Sequence, residues 1–134
     1  MRNAESFEFK ECTFESYNFP SEKFDLVNAH FSLPFTREAD FNRVFSSMIG
    51  SIKTGGIFCG QLFGNLHEWA QVVRQDRNFH TNEQVRDLFK GMEIIEMKEV
   101  FDDWLPDLGN RIVKGHIFNI IARKKILITS ETFS

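Results

Sequence analysis

Residues 24–63 constrain the fold more than any other stretch, because they read as strand, helix and strand with little chain left over. Phe24-Asp25-Leu26-Val27-Asn28-Ala29 is a short, mostly apolar run. After Pro34, the apolar positions Phe41, Val44, Phe45, Met48, Ile49 and Ile52 recur at three- and four-residue steps, which is one face of a helix. The helix is expected to open near Thr36, an N-cap residue ahead of Glu38 and Asp40. It is expected to stop at Lys53-Thr54-Gly55-Gly56, where a cation meets the last carbonyls and glycine takes the left-handed cap. Ile57-Phe58-Cys59-Gly60-Gln61-Leu62-Phe63 follows without alternation, the pattern of a strand buried on both faces. Two strands joined by one amphipathic helix make a right-handed crossover, so they run in parallel. Open parallel sheets bind ligands beyond the carboxyl ends of their strands, which directs attention to residues 28–31 and 61–64.

The flanking chain extends this unit. Residues 7–13 alternate enough to predict a strand, and residues 16–21 a loop. Residues 66–74 predict a short helix with Trp69, Val72 and Val73 on one side. Thr81-Asn82-Glu83-Gln84 has the form of a capping box, ahead of a helix that turns Val85, Leu88 and Phe89 inward and ends at Gly91. Residues 93–101 alternate, with Ile95, Met97 and Phe101 facing one way and Glu96 and Lys98 the other, as in an edge strand. Residues 102–114 read as a polar loop whose charges, Asp102-Asp103 and Asp107, are solvated, and residues 115–122 as a final buried strand. No helix separates the last two strands, so they are expected to be antiparallel neighbours.

Composition excludes several classes of function. With 134 residues, 42% hydrophobic and 26% charged, the chain holds one globular domain with a real core. Sixteen phenylalanines against one tyrosine favour core filling over recognition of polar ligands. A formal charge of -3 argues against nucleic acid or an anionic membrane as partner, and Arg123-Lys124-Lys125 is too small a patch to reverse that. No apolar run approaches the ~20 residues that span a bilayer. Met1-Arg2-Asn3-Ala4-Glu5 lacks the apolar segment of a secretion signal. Cys12 and Cys59 fall in or beside predicted strands and read as reduced, buried thiols, which makes the cytoplasm the expected compartment. The two cysteines and four histidines show no metal-ligand spacing, so no metal is expected.

The order of elements, and the wording of several of them, resembles the C-terminal portion of the class I S-adenosylmethionine-dependent methyltransferases. Residues 24–35 look like that family's fourth-strand motif, and Ile52-Lys53-Thr54-Gly55-Gly56-Ile57-Phe58 like its turn into strand five. Phe63-Gly64, Glu68-Trp69-Ala70, Phe79-His80-Thr81, His116-Ile117-Phe118 and Ala122-Arg123-Lys124 continue the match to small bacterial enzymes of the tellurite-resistance or thiopurine type. The resemblance covers roughly residues 7–124. It implies an α/β fold: a partial Rossmann-like sheet of parallel strands plus a C-terminal antiparallel strand, with helices on the faces. Residues 1–124 are then an incomplete methyltransferase domain from its third strand onward, and residues 125–134 a tail. The family's first strand with its glycine-rich turn has no counterpart here, nor has the second strand with its acidic residue. Gly55-Gly56 is no substitute, since it follows a helix and precedes a strand.

Methyl transfer from a sulfonium is an in-line displacement, which needs a nucleophile held against the methyl carbon in a dry pocket more than it needs an acid or base. The resemblance implies S-adenosylmethionine as cofactor and a small molecule as methyl acceptor. The backbone at Asn28 and Ala29 would meet the cofactor's amino acid end, and Thr13 and Phe14 would flank adenine. Phe31, Leu33, Phe35 and Phe63 would wall the methyl donor, with Phe35 and Phe63 facing the acceptor. Taken singly, each phenylalanine reads as core, and only their clustering at adjacent strand ends favours a site. His30 and His80 are candidate general bases, although the plainer reading of each is a surface or capping histidine.

Lacking its neighbour, the strand at residues 24–29 has a bare edge. Three large apolar side chains losing cover at about 2 kcal/mol each amount to about 6 kcal/mol, against a typical domain stability of about 5–15 kcal/mol. The edge is therefore expected to be covered by a second copy, by residues 7–13, or by a missing N-terminal segment. Two functions follow: part of a small-molecule methyltransferase that is unable to bind cofactor alone, or a non-catalytic binding or assembly module derived from one.

Overall fold

The computed structural model describes residues 12–71, 77–104 and 112–125. Strand β1, Phe24–Ala29, lies parallel to β2, Ile52–Phe63, and helix α1, Glu38–Gly50, joins them, as the apolar spacing predicts. A short helix α2, Asn82–Leu88, leads to β3, Met92–Trp104, and then to β4, Val113–Lys124. The last two strands pair antiparallel as expected, but β4 enters the sheet between β2 and β3, giving the order β1-β2-β4-β3. The architecture is a mixed four-stranded α/β sheet in which β1 and β2 are the parallel pair. Of the strand expected over residues 7–13, residues 7–11 lie outside the described residues; Cys12 and Thr13 carry no regular secondary structure. The tail beyond residue 125 also lies outside them.

Both ends of α1 differ from the sequence expectation. Pro34 sits inside a 3-10 turn, Leu33–Phe35, so the helix starts later, with Arg37 rather than Thr36 at the N-cap position. At the other end Ser51 caps the helix, its hydroxyl donating to the Met48 carbonyl at 2.6 Å, and Ile52 already pairs with Phe24. The cation at this terminus is Lys124 of β4, whose ammonium donates to the carbonyls of Ile52 at 2.9 Å and Ile49 at 3.4 Å. Lys53 instead faces Asp25 across the surface at 3.6 Å. Helix α2 follows its sequence signal: Gln84 N–H donates to the Thr81 hydroxyl at 3.1 Å and Thr81 N–H to the Gln84 amide oxygen at 2.9 Å.

The core lies on one face of the sheet. Phe58 of β2 meets Phe45 of α1 and Phe89 just after α2, with ring centroids 6.2 and 5.4 Å away, and Phe45 and Phe89 meet at 5.2 Å. Phe41, Val44, Met48, Val85, Phe118, Ile120 and Ala122 complete it. The opposite face carries Leu26, Ile57, Cys59, Ile117 and Ile121, each partly or largely exposed, so β2 and β4 are buried on one side rather than on both. Both described helices bury their apolar residues in the Phe58 cluster. Cys12 is exposed rather than buried, and neither cysteine is paired.

Strand β3 forms the edge expected, with one change. A bulge between Ile94 and Glu96 shifts its alternation, so Ile94 and Met97 reach the core while Ile95 is 47% exposed. The strand also runs past residue 101: Asp102, Asp103 and Trp104 pair with Gly115, Lys114 and Val113. The helix expected over residues 66–74 is a 3-10 turn, Glu68–Gln71, among the described residues, and Val72 and Val73 lie outside them.

Phe58 is wholly buried between two helices, so Phe58→Ala is expected to cost about 3–5 kcal/mol through lost transfer energy and a residual cavity. Urea unfolding followed by circular dichroism measures it; a loss below about 1 kcal/mol would mean that the three rings are not the centre of the core.

Candidate functional site at the carboxyl ends of the parallel strands

Ala29, the last residue of β1, pairs with Gly60, which brings His30 and Phe31 level with Gln61. Phe31 adopts a left-handed backbone, φ 48°, which side chains bearing a Cβ resist. Gln61 holds it there: Phe31 N–H donates to the Gln61 amide oxygen at 2.6 Å. That bond fixes the amide, so its NH2 group faces His30 Nδ1 at 3.1 Å and donates to it. Neutral His30 therefore carries its proton on Nε2. For Nε2 to accept a proton, the Gln61 amide would have to turn over and release Phe31.

The next wall is the 3-10 turn of Leu33–Phe35. Asn78 pins it, its side-chain NH2 donating to the carbonyls of Leu33 at 2.8 Å and Thr36 at 2.9 Å. Leu33 and Pro34 are buried, which leaves Phe35 42% exposed. Phe35, Phe63 and Trp69 meet edge to face, with centroids 5.5 Å (Phe35 to Phe63), 5.7 Å (Phe63 to Trp69) and 6.5 Å (Phe35 to Trp69) apart. The Arg77 guanidinium lies over Trp69 at 4.4 Å and Phe35 at 5.1 Å. Beside Phe35 is a cavity of about 340 Å3 lined by Phe31, Phe35, Ile117 and Asp102. Phe63 itself is fully buried beneath the other rings.

Behind the rim is a buried polar knot. His116 Nδ1 accepts from Leu66 N–H at 3.0 Å, so its proton sits on Nε2, 2.6 Å from the Glu99 carboxylate. The ring of Phe101 stacks on it at 4.3 Å. Gly64 lies against the His116 ring so closely that no Cβ fits there. The knot fixes the turn that carries His67 and Trp69.

The predicted site residues divide into groups. Asn28, Ala29, His30, Phe31, Phe35 and Phe63 gather at the carboxyl rim. Thr13 and Phe14 line a different cavity, of about 450 Å3, with Lys23 and Phe24 at the amino end of β1. His80 bridges to the rim through its backbone, its N–H donating to the Phe63 carbonyl at 3.0 Å, while its ring packs 4.7 Å from Phe41. Burial pushes its pKa down from 6.5 to about 4. Burial, and then repulsion from His116, does the same to His67. Gln61 lies in the stretch 61–64 that the strand ends marked for attention, whereas Trp69, Arg77, Glu99, Asp102 and His116 were not singled out by sequence reasoning as site residues.

No family model matches the sequence, and no curated protein matches it. The fold is that of the class I S-adenosylmethionine-dependent methyltransferases. Among solved structures, a methyltransferase of this kind from Methanosarcina mazei is 17% identical with a TM-score of 0.66 over 90% of this chain and 68% of its own. TehB from Haemophilus influenzae is 18% identical with a TM-score of 0.63 over 79% of this chain and 37% of its own. A [4+2]-cyclase, SpnF, is 16% identical with a TM-score of 0.61 over 92% of this chain and 58% of its own. This chain thus spans only part of each, and the cyclase has the same likeness as the methyltransferases.

A full S-adenosylmethionine site does not fit the described residues. Gly55 and Gly56 lie in a strand irregularity, and Gly60 and Gly64 approach Ala29 and His116 in the sheet, so none opens a helix after a strand. The described residues supply a rim and an apolar wall without that turn. They contain no group of three His, Cys, Asp or Glu that could hold a metal ion.

His67 and His80 are neutral when folded and bind protons more readily when unfolded. Stability should therefore fall as pH drops through 6.5 and keep falling until about 4, by an amount on the order of 2 kcal/mol per histidine. Denaturation midpoints at several pH values between these limits measure the slope. His80→Gln should remove a substantial share of it, and an unchanged slope would show that His80 titrates normally in the fold.

Proposed function

We propose that this chain is the acceptor-side part of an S-adenosylmethionine-dependent methyltransferase acting on a small molecule. The observation that carries the reading is the apolar cavity at the carboxyl ends of β1 and β2, on a fold in which ligands bind at such rims. In this reading Phe31 and Phe35 wall the acceptor. Phe63 supports them from below, and Asn28 and Ala29 offer backbone to the cofactor's amino acid end. His30, whose neutral ring carries its proton on Nε2, is not the base in this reading. His80, buried against Phe41, has no direct part, and the adenine role of Thr13 and Phe14 is not carried forward because their cavity is elsewhere. A cytoplasmic setting belongs to the same reading, supported by two unpaired cysteines. Among the described residues no helix is long and apolar enough to cross a membrane.

The cofactor grip is incomplete in the described residues, so calorimetric titration of this chain with S-adenosylmethionine is expected to give no binding tighter than about millimolar, roughly −4 kcal/mol. Micromolar binding would return catalysis to this chain alone.

A second reading, a non-catalytic assembly module, is favoured by one feature: β1 pairs only with β2 among the described strands, and its neighbouring face exposes Leu26 at 58%. A covering polypeptide, from a second copy or a further segment of the protein, suits both readings. Light scattering after size exclusion is expected to find an oligomer or a monomer of low stability. A monomer with a high melting temperature would count against the need for cover.

A further inference from the structure

We infer that the cavity between Phe31, Phe35, Ile117 and Asp102 is a binding site for an organic ammonium ion: a primary or secondary amine, protonated, on an aromatic or alkyl body. Three of the four lining side chains are apolar, and two are aromatic rings more than 40% exposed to the opening, Phe31 at 45% and Phe35 at 42%. The fourth is a carboxylate. Asp102 pairs with Gly115 in the sheet, so its side chain stands on the same face as Ile117, which pairs with Val100 two positions back. Among the described residues its carboxylate makes no hydrogen bond or ion pair. Among the described residues the lining holds one negative charge, and Arg77, which rests over the Phe35 ring, is not part of it.

Ring faces attract cations through their quadrupole, and a nearby carboxylate adds charge without dictating the shape of the ligand body. Phe35 already does this work within the molecule, since the Arg77 guanidinium rests over it and over Trp69. An anionic ligand would be repelled by Asp102, and a neutral one would gain only the apolar walls. A cavity of about 340 Å3 lies at the small end of ligand sites, which suits a molecule of one ring and a short amine arm. This rests on the preceding proposal and deepens it by naming the acceptor as an amine that docks as its ammonium ion and releases one proton to solvent past the Asp102 carboxylate before its lone pair can take the methyl group. Binding is read without cofactor, so failure here and failure of the methyl-transfer reading are separate results.

The test uses the full chain and three probes of one skeleton at neutral pH: 2-phenylethylamine, 2-phenylethanol and phenylacetate, each followed by ligand-observed NMR titration. The amine is expected to bind at least about tenfold more tightly than the alcohol, a difference of about 1.4 kcal/mol, with phenylacetate weakest. Asp102→Asn should bring amine and alcohol within about twofold, while Phe31→Ala should weaken both, the amine more. Asp102 is exposed on an edge strand, so the variant should fold; circular dichroism checks this. Independently of any variant, raising the ionic strength to about 0.5 M should shrink the amine's advantage on the native chain. Equal binding of amine and alcohol, an advantage that survives both Asp102→Asn and salt, or no binding of any probe would overturn the inference.

Discussion

The parallel pairing of β1 with β2 is the constraint on which the rest depends. Between the pairs Phe24 with Ile52 and Leu26 with Ile57 stands one residue of β1 but four of β2, Lys53 to Gly56. The excess is taken up in a detour that only glycine permits. Gly55 has φ 85°, and a Cβ on Gly56 would sit 2.6 Å from the Ile52 side chain and 2.9 Å from the Asp25 carbonyl. Past the detour the strands run in step, 27 to 29 against 58 to 60, so both finish together. That shared finish puts Gln61 within hydrogen-bond reach of Phe31 and His30, and a shift of one residue would turn Gln61 to the other face.

A single-sided core follows from the same register. Phe58 and Leu62 are buried with α1 and α2, while Ile57, Cys59 and Gln61 alternate onto the face where the cavity lies. The rim is therefore assembled from both regimes. Phe63 and Leu33 are fully buried and rigid, whereas Phe31 and Phe35 stand proud of them. Exposed apolar rings cost free energy in water, and here they are held in place by polar devices, the Gln61 amide for Phe31 and the Asn78 amide for the turn bearing Phe35.

Local patterns made the crossover, the capping box and the antiparallel end of the sheet legible in the sequence. Apolar spacing at 41, 44, 45 and 48 decides a helix face whatever surrounds it, and Thr81 with Gln84 satisfies its own backbone donors. What misled was information held in distant partners. Lys53 was expected to meet the end of α1, but Lys124, 72 residues from Ile52 in sequence, reaches it first. Asp102 looked like a loop residue because its strand partner, Gly115, carries no signal of pairing. At the site, the clustering of phenylalanines at strand ends was legible. Gln61 lay in a marked stretch without its role being legible, and Asp102 and Arg77 were not legible at all, since strand pairing and ring packing across the fold bring them there.

The two edges of the sheet are unlike, and the difference bears on what the molecule meets. Strand β3 carries Glu93, Glu96, Lys98, Glu99, Asp102 and Asp103, a charge density that discourages another strand from adding to it. Strand β1 has one charged residue, Asp25, among Phe24, Leu26, Val27, Asn28 and Ala29, and no proline. An unguarded edge on a short apolar strand invites pairing with another strand, whereas a guarded edge discourages it. Among the described strands, β3 is thus the guarded edge of the sheet and β1 the unguarded one. The cavity spans the distance between them, lined by Asp102 of the guarded strand and by Phe31 just past the unguarded one.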